Sequence, residues 1–304
     1  MCGLWAAGCN AIFGIDDLAS NPAGPASTVA GAGGGSAIAS SSSGVAGGVA
    51  TGGGAGGAGG CADCLVDSGL VVRYFIDEAE SGQGPMMLSD AAQDPLPLTI
   101  DYNDELSFSG GPGKRGLQWS DGATHARAFA PIAGTKIIAM LDGRTQATIE
   151  MVVELDAILI TGSVLSMIGS GNEFNFGDLS LVAGGDGQLG FFWQNGADIY
   201  VWDTNVVDAG RVVLHAVLDS AQADPIMRAR YYVNGTQEVQ GNPSVGNGQT
   251  IHVQADGHLA VGSAVAEPFS PRGIIAYVAY YNVALSDADI LVNVAHLNVS
   301  DDTQ

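Results

Sequence analysis

RARYYVNGTQEVQ, residues 228–240, is two strand-like runs joined by Asn234-Gly235. Asn-Gly between β-prone arms is the strongest short-range hairpin signal, because a type I′ turn needs positive φ at both central positions. The turn fixes the register of Tyr231 and Val233 against the returning arm, and register decides which side chains face a core. Outward from this hairpin, β-prone runs follow one another with turn signals between them, the pattern of an all-β sandwich. QATIEMVVELD (146–156) alternates, with Ile149, Met151, Val153 and Leu155 on one face and Glu150, Val152, Glu154 and Asp156 on the other. The apolar set is expected to face the core, and the acids to form a solvated or ligand-lining stripe. Asp186-Gly187 leads into LGFFWQ (189–194) and Asn195-Gly196 into DIYVWD (198–203), which predicts two further hairpins. Residues 110–116 are glycine-rich and hold Lys114 and Arg115, but lack GxxxxGK[ST]; an ordinary loop is expected there. Ser286 and Asp289 spell a capping box, and Ile290, Leu291, Val294 and Leu297 are expected to form one apolar stripe of a short helix.

Ten Lys and Arg face 32 Asp and Glu among 304 residues, a net charge of −22. Every basic residue lies at or beyond Arg73. Such a balance repels phosphate, which argues against nucleic acid and against adsorption to anionic lipid. It suits a solvated surface or a site for cations or neutral sugars. Residues 20–60 are almost entirely Gly, Ala, Ser, Val and Thr, without aromatics or a sustained period. That composition cannot offset the entropy of ordering, so a disordered tether is expected, with a span of roughly 30–40 Å by random-coil scaling. Cys61-Ala62-Asp63-Cys64 closes it. A CxxC is redox-active, half of a zinc site or a small disulfide. Zinc would need two further ligands, and the only other cysteines are Cys2 and Cys9; no thioredoxin-like βαβ pattern surrounds the pair.

LWAAGC (4–9) resembles the lipobox of bacterial lipoproteins, and CNAIFGIDDL after it is similar to the opening of Gram-negative surface lipoproteins. The resemblance implies lipidation at Cys9, with 1–19 as a truncated signal and anchor region, because only eight residues precede that cysteine. It also implies an outer-membrane or exported protein of the cell envelope, held to the membrane only by its lipid. In that oxidising compartment a local Cys61–Cys64 disulfide is favoured.

The hairpin resembles the "LYVNG" turn of the LamG-like jelly rolls, the concanavalin A-like extracellular sandwiches. Tyr74, Phe75, Asp77, Glu78 and Gly82 are similar to the family's first strand, and RVVLHAVLD (211–219) to its "WHHVALVYD" strand without the tryptophan. Leu259, Gly262, Phe269, Gly273, Ile275, Val278, Tyr281, Asn282, Ala284, Leu285, Ser286 and Ile290 match its closing "LxLG…FxGxIDEVxIYNxALSxxEI". The resemblance implies a two-sheet antiparallel jelly-roll sandwich over 61–304 with a short C-terminal helix. Where the family writes Ile-Asp-Glu this chain has Ile275-Ala276-Tyr277, so the aspartate that often sits near a structural calcium is missing. Asp77, Glu78, Asp101, Asn103 and Asp104 remain as hard oxygen donors for Ca2+; solvated acidic turns are the other reading. The five histidines, His125, His215, His252, His258 and His296, have no metal-ligand spacing and are read as packed or surface residues.

Two functions compete. The first is a binding module for a glycan or an extracellular protein, with Glu150, Glu154, Asp156, Trp193, Tyr200 and Trp202 as candidate ligand contacts; core filling is the other reading of these aromatics and of Trp119. The second is a retaining glycoside hydrolase of the laminarinase type, which carries ExDxE on one strand. Glu150 and Glu154 have the right spacing, but Val152 stands where that motif has its aspartate. The chain is therefore expected not to be an enzyme.

Overall fold

The computed structural model describes residues 65–76, 82–111, 114–120, 125–157, 163–170, 177–184, 188–193, 198–202, 205–238, 246–264 and 269–298. Contacts divide the chain into Met1–Gly59 and Gly60–Gln304, and every described residue belongs to the second unit. The anchor region, the 20–60 tether, Cys9, Cys61, Cys64, Asp77 and Glu78 lie outside the described residues. None of the described helices is long and apolar enough to cross a membrane.

The fold is the expected all-β, two-sheet antiparallel sandwich. With strands numbered along the chain, sheet A runs β14 (Thr236–Glu238), β13 (Ala229–Val233), β12 (Val212–Asp219), β7 (Gln146–Ala157), β16 (Arg272–Tyr281), β5 (Lys114–Trp119), β4 (Leu106–Gly111). β1 (Leu70–Phe75) also pairs with β16, through Tyr277 to Tyr281, beyond the Gly273–Ile275 stretch that pairs with β5. Sheet B runs β11 (Asp198–Trp202), β10 (Leu189–Trp193), β9 (Leu179–Ala183), β8 (Ser163–Gly169), β15 (His258–Val261), β6 (Arg127–Pro131), β3 (Leu98–Asp101), β2 (Met87–Leu88). The Asn234-Gly235 turn has the positive φ pair, 50° and 80°, that a type I′ hairpin requires, and Val233 faces Thr236 across it.

The inner face of β7 is the one its alternation predicts: Ile149, Met151, Val153 and Leu155 all lie in the core between the sheets. Trp119 joins them from β5, its indole N–H donating to the Ala126 carbonyl at 2.8 Å. Gly262, at φ 84°, follows β15 against that ring; a Cβ there would lie 1.9 Å from it, so only glycine fits. Residues 110–111 and 114–116 are strand where an ordinary loop was expected, because β4 and β5 pair from Leu106–Trp119 out to Gly111–Lys114. A six-residue helix, α1 (Lys136–Leu141), has no counterpart in the sequence reading, being too short to show a period. Thr135 caps it, and Lys136 reaches the buried Asp90 carboxylate at 2.7 Å.

The C-terminal helix, α2 (Asp287–Leu297), carries both halves of the predicted Ser286–Asp289 capping box. Its buried stripe differs from the expected one. Ile290, Asn293, Val294 and Leu297 face inward and Leu291 is exposed. Positions i, i+3, i+4 and i+7 from Ile290 make the face, so a polar residue sits in its middle.

Candidate functional site

Helix α2 and residues 65–70 lie on the outer face of sheet A, where a second apolar cluster unites Val152, Val213, Val217, Tyr277, Ala279 and Tyr281 with Ile290, Val294 and Leu297. At Glu150 and Val152 the expected solvated stripe is thus a buried layer. A β-bulge in β16 builds it. The β16–β7 register shifts between Ile275 and Tyr277, so Ala276 and Tyr277 fall on the same side, and Tyr277 and Tyr281 both point outward beside Glu150.

Glu150 is fully buried, which corrects its assignment to a ligand-lining stripe. Both its oxygens are filled from four directions. Oε1 lies 2.7 Å from His215 Nε2 and accepts from Asn293 Nδ2 at 2.7 Å. Oε2 accepts from the Tyr277 and Tyr281 hydroxyls, each at 2.9 Å. Arg73 donates in turn to the two phenol oxygens, through Nε to Tyr277 at 3.1 Å and Nη2 to Tyr281 at 3.2 Å. Burial alone would push the Glu150 carboxyl up; the hydrogen bond and attraction of His215, then the Tyr277 and Asn293 hydrogen bonds, bring it below the ordinary glutamate value. Burial and the Glu150 charge hold the Tyr277 phenol well above its ordinary value, so it stays a donor. An unpaired ion here would be costly, whereas a fully hydrogen-bonded one is tolerated. With its acceptor positions saturated beneath a helix, Glu150 cannot pair with Glu154 as two working carboxylates.

The other predicted contacts scatter. Glu154 is half-buried and Asp156 exposed, both on the far end of β7. Trp193 is another correction, since it lies wholly inside the core, 5.7 Å from Phe191. Tyr200 and Trp202 stand at register positions opposite Phe191 and Leu189 on β11, and their side chains lie outside the described residues. Asn103 uses its side-chain oxygen to accept from the Glu105 amide at 2.9 Å, and Asp101 lies 4.0 Å from Arg127. Among the described residues no group of three or more His, Cys, Asp or Glu is arranged to hold a metal ion.

The outer face of sheet B offers an accessible strip that the sequence reading missed. Ala128 and Ala130 point into the core, so Arg127 and Phe129 on β6 point out, as do Thr99 and Asp101 on β3 and His258 on β15. The Arg127 guanidinium sits 4.7 Å over the Phe129 ring, and Phe129 meets His258 at 6.0 Å. Arg127 Nη1 also donates to the Ala264 carbonyl at 3.1 Å. All three are half-buried, and Thr99 and Asp101 are exposed. His258 Nδ1 is buried without a hydrogen-bond partner among the described residues. Burial, then the Arg127 charge, lowers the His258 imidazole, so it stays neutral below the usual histidine range. The alternation of RAFAP (127–131) was the available signal.

No family model and no curated protein matches the chain. Among solved structures it is similar to Trypanosoma rangeli sialidase in complex with 2,3-difluoro-KDN, with a TM-score of 0.54 and 15% identity over 80% of this chain and 35% of that one. It is similar to the same sialidase in complex with the inhibitor DANA, with a TM-score of 0.53 and 16% identity over 77% and 34%. The binding domain of botulinum neurotoxin DC, in complex with rat synaptotagmin II, shares a TM-score of 0.51 and 10% identity over 75% and 52%. These likenesses show the fold. The chain spans about a third of the length of the sialidases. They also overturn the expectation that the chain is not an enzyme: sialidases stand among the proteins that share this sandwich, and the fold gives no ground for excluding catalysis.

Proposed function

We propose that the sandwich is a LamG-like binding domain for a carbohydrate or an extracellular protein, displayed from the bacterial cell envelope on the 20–60 segment behind a lipidated Cys9. The observation that carries the binding role is the Asp101–Arg127–Phe129–His258 strip on the outer face of sheet B. It combines an aromatic face with fixed polar groups, the combination that sugar and protein ligands both use. The neighbours' ligands, a sugar analogue in one case and a synaptotagmin in the other, belong to the same two classes. A glycan array and an extracellular-protein panel probed with the full chain test the reading. Binding should fall about tenfold or more in Phe129→Ala and Arg127→Ala proteins that keep their melting temperature. Binding indifferent to both substitutions would remove the strip from the proposal. An EDTA arm tests whether Ca2+ takes part. Fractionation of Cys9→Ser, expected to move from membrane to soluble fraction, tests the anchor.

A further inference from the structure

We propose that residues 65–69 and helix α2 form one strap over the outer face of sheet A, fastened so that release of either end releases the other. The fastening is at Val66, whose two backbone polar groups are both held by side chains from elsewhere. Its N–H donates to Asn293 Oδ1 at 2.8 Å, and its carbonyl accepts from Arg73 Nη2 at 2.7 Å. Asp67 adds an ion pair to Arg73 Nη1 at 2.6 Å.

Asn293 joins the two ends. The same amide that accepts from Val66 donates through Nδ2 to Glu150 and, at 3.2 Å, to the Tyr281 hydroxyl. Lifting residues 65–69 leaves the buried Asn293 oxygen without its donor and strips Arg73 of both Val66 and Asp67. Lifting the helix leaves the Val66 amide and one Glu150 oxygen short of a partner. A buried polar group left unsatisfied is costly, so each loss weakens the hold on the other end. The apolar contacts run the same way: Leu65, Val66 and Leu70 pack on the cluster that holds Ile290, Val294 and Leu297. Segments that share their contacts in this manner open as one cooperative unit.

Hydrogen exchange on the full chain tests the coupling. Val66→Pro removes the amide hydrogen without touching a helix residue. It should speed exchange across Ile290 to Leu297 by about tenfold or more while leaving β8 and β9 of sheet B protected. Reciprocally, Asn293→Ala should speed exchange of the Leu70 amide, which donates to the Asp67 carbonyl. Unchanged helix exchange in Val66→Pro, or an unchanged Leu70 amide in Asn293→Ala, would show two independent covers and overturn the strap. If Val66→Pro unfolds sheet B as well, Asp67→Ala replaces it. The Asp67 side chain is 75% exposed, and its removal should raise helix exchange by a smaller factor in the same direction.

Discussion

The two sheets turn opposite kinds of outer face to their surroundings. On sheet A, Glu150 of β7, His215 of β12 and Tyr277 and Tyr281 of β16 are sealed beneath helix α2, and Glu150 is surrounded by four donors. On sheet B, at β3, β6 and β15, the cation and aromatic side chains are half-open and one imidazole nitrogen has no partner among the described residues. A charge on the first face is part of how the chain folds, whereas a charge on the second is within reach of solvent. The contrast shows why residue type alone does not distinguish structure from function: both faces carry acids, aromatics and a histidine.

The largest effect belongs to the sealed face. Glu150→Gln puts an amide NH2 among groups that donate and leaves one of them without an acceptor, so it should cost about 3 kcal/mol, a fall of roughly 6–12 °C in Tm. A loss below about 1 kcal/mol in thermal or urea unfolding would mean that the network contributes little.

The same residue predicts an acid limit. Its folded pKa is depressed, so its stabilisation is fully present above the unfolded glutamate value and is lost as pH falls through the folded one. The margin of the unsubstituted protein over Glu150→Gln should be present at about pH 5 and close progressively below about pH 4.5. Urea midpoints measured across that range give the curve; a margin that closes near neutral pH would put the titration elsewhere.

Phe129→Ala on the half-open face should cost about 1 kcal/mol or less, because the ring is already partly in water. Its larger consequence should be on ligand binding. Equal destabilisation by Phe129→Ala and Glu150→Gln would erase the contrast between the faces. Smallest of all, Asp156→Asn should change stability by no more than about 0.5 kcal/mol, since that acid lies at the exposed end of β7 beyond the helix cover. A shift above 1 kcal/mol would mean that the cover extends further along β7.

What the sequence determined by itself are the features encoded within a few residues. The Asn234-Gly235 turn, the alternation of β7 and the Ser286–Asp289 cap each follow from backbone preferences or a short period, and each is present in the structure. The existence of two faces on β7 was therefore legible. Which of them met water was not, because alternation says that two faces differ and is silent on what covers the second. Helix α2 decided that, and its polar buried position, Asn293, was hidden in a stripe counted through Leu291. Glu150 illustrates the limit: its partners His215, Tyr277, Tyr281 and Asn293 stand 65, 127, 131 and 143 residues away. The Ala276–Tyr277 bulge that brings both phenols to the same side is a property of strand pairing rather than of either strand. The strip on sheet B is likewise assembled from β3, β6 and β15, short strands far apart in the chain. Local free energies select turns, caps and strand phases; only the closing of the sandwich, which brings distant strands into register, decides which charges are buried and which are left open to solvent.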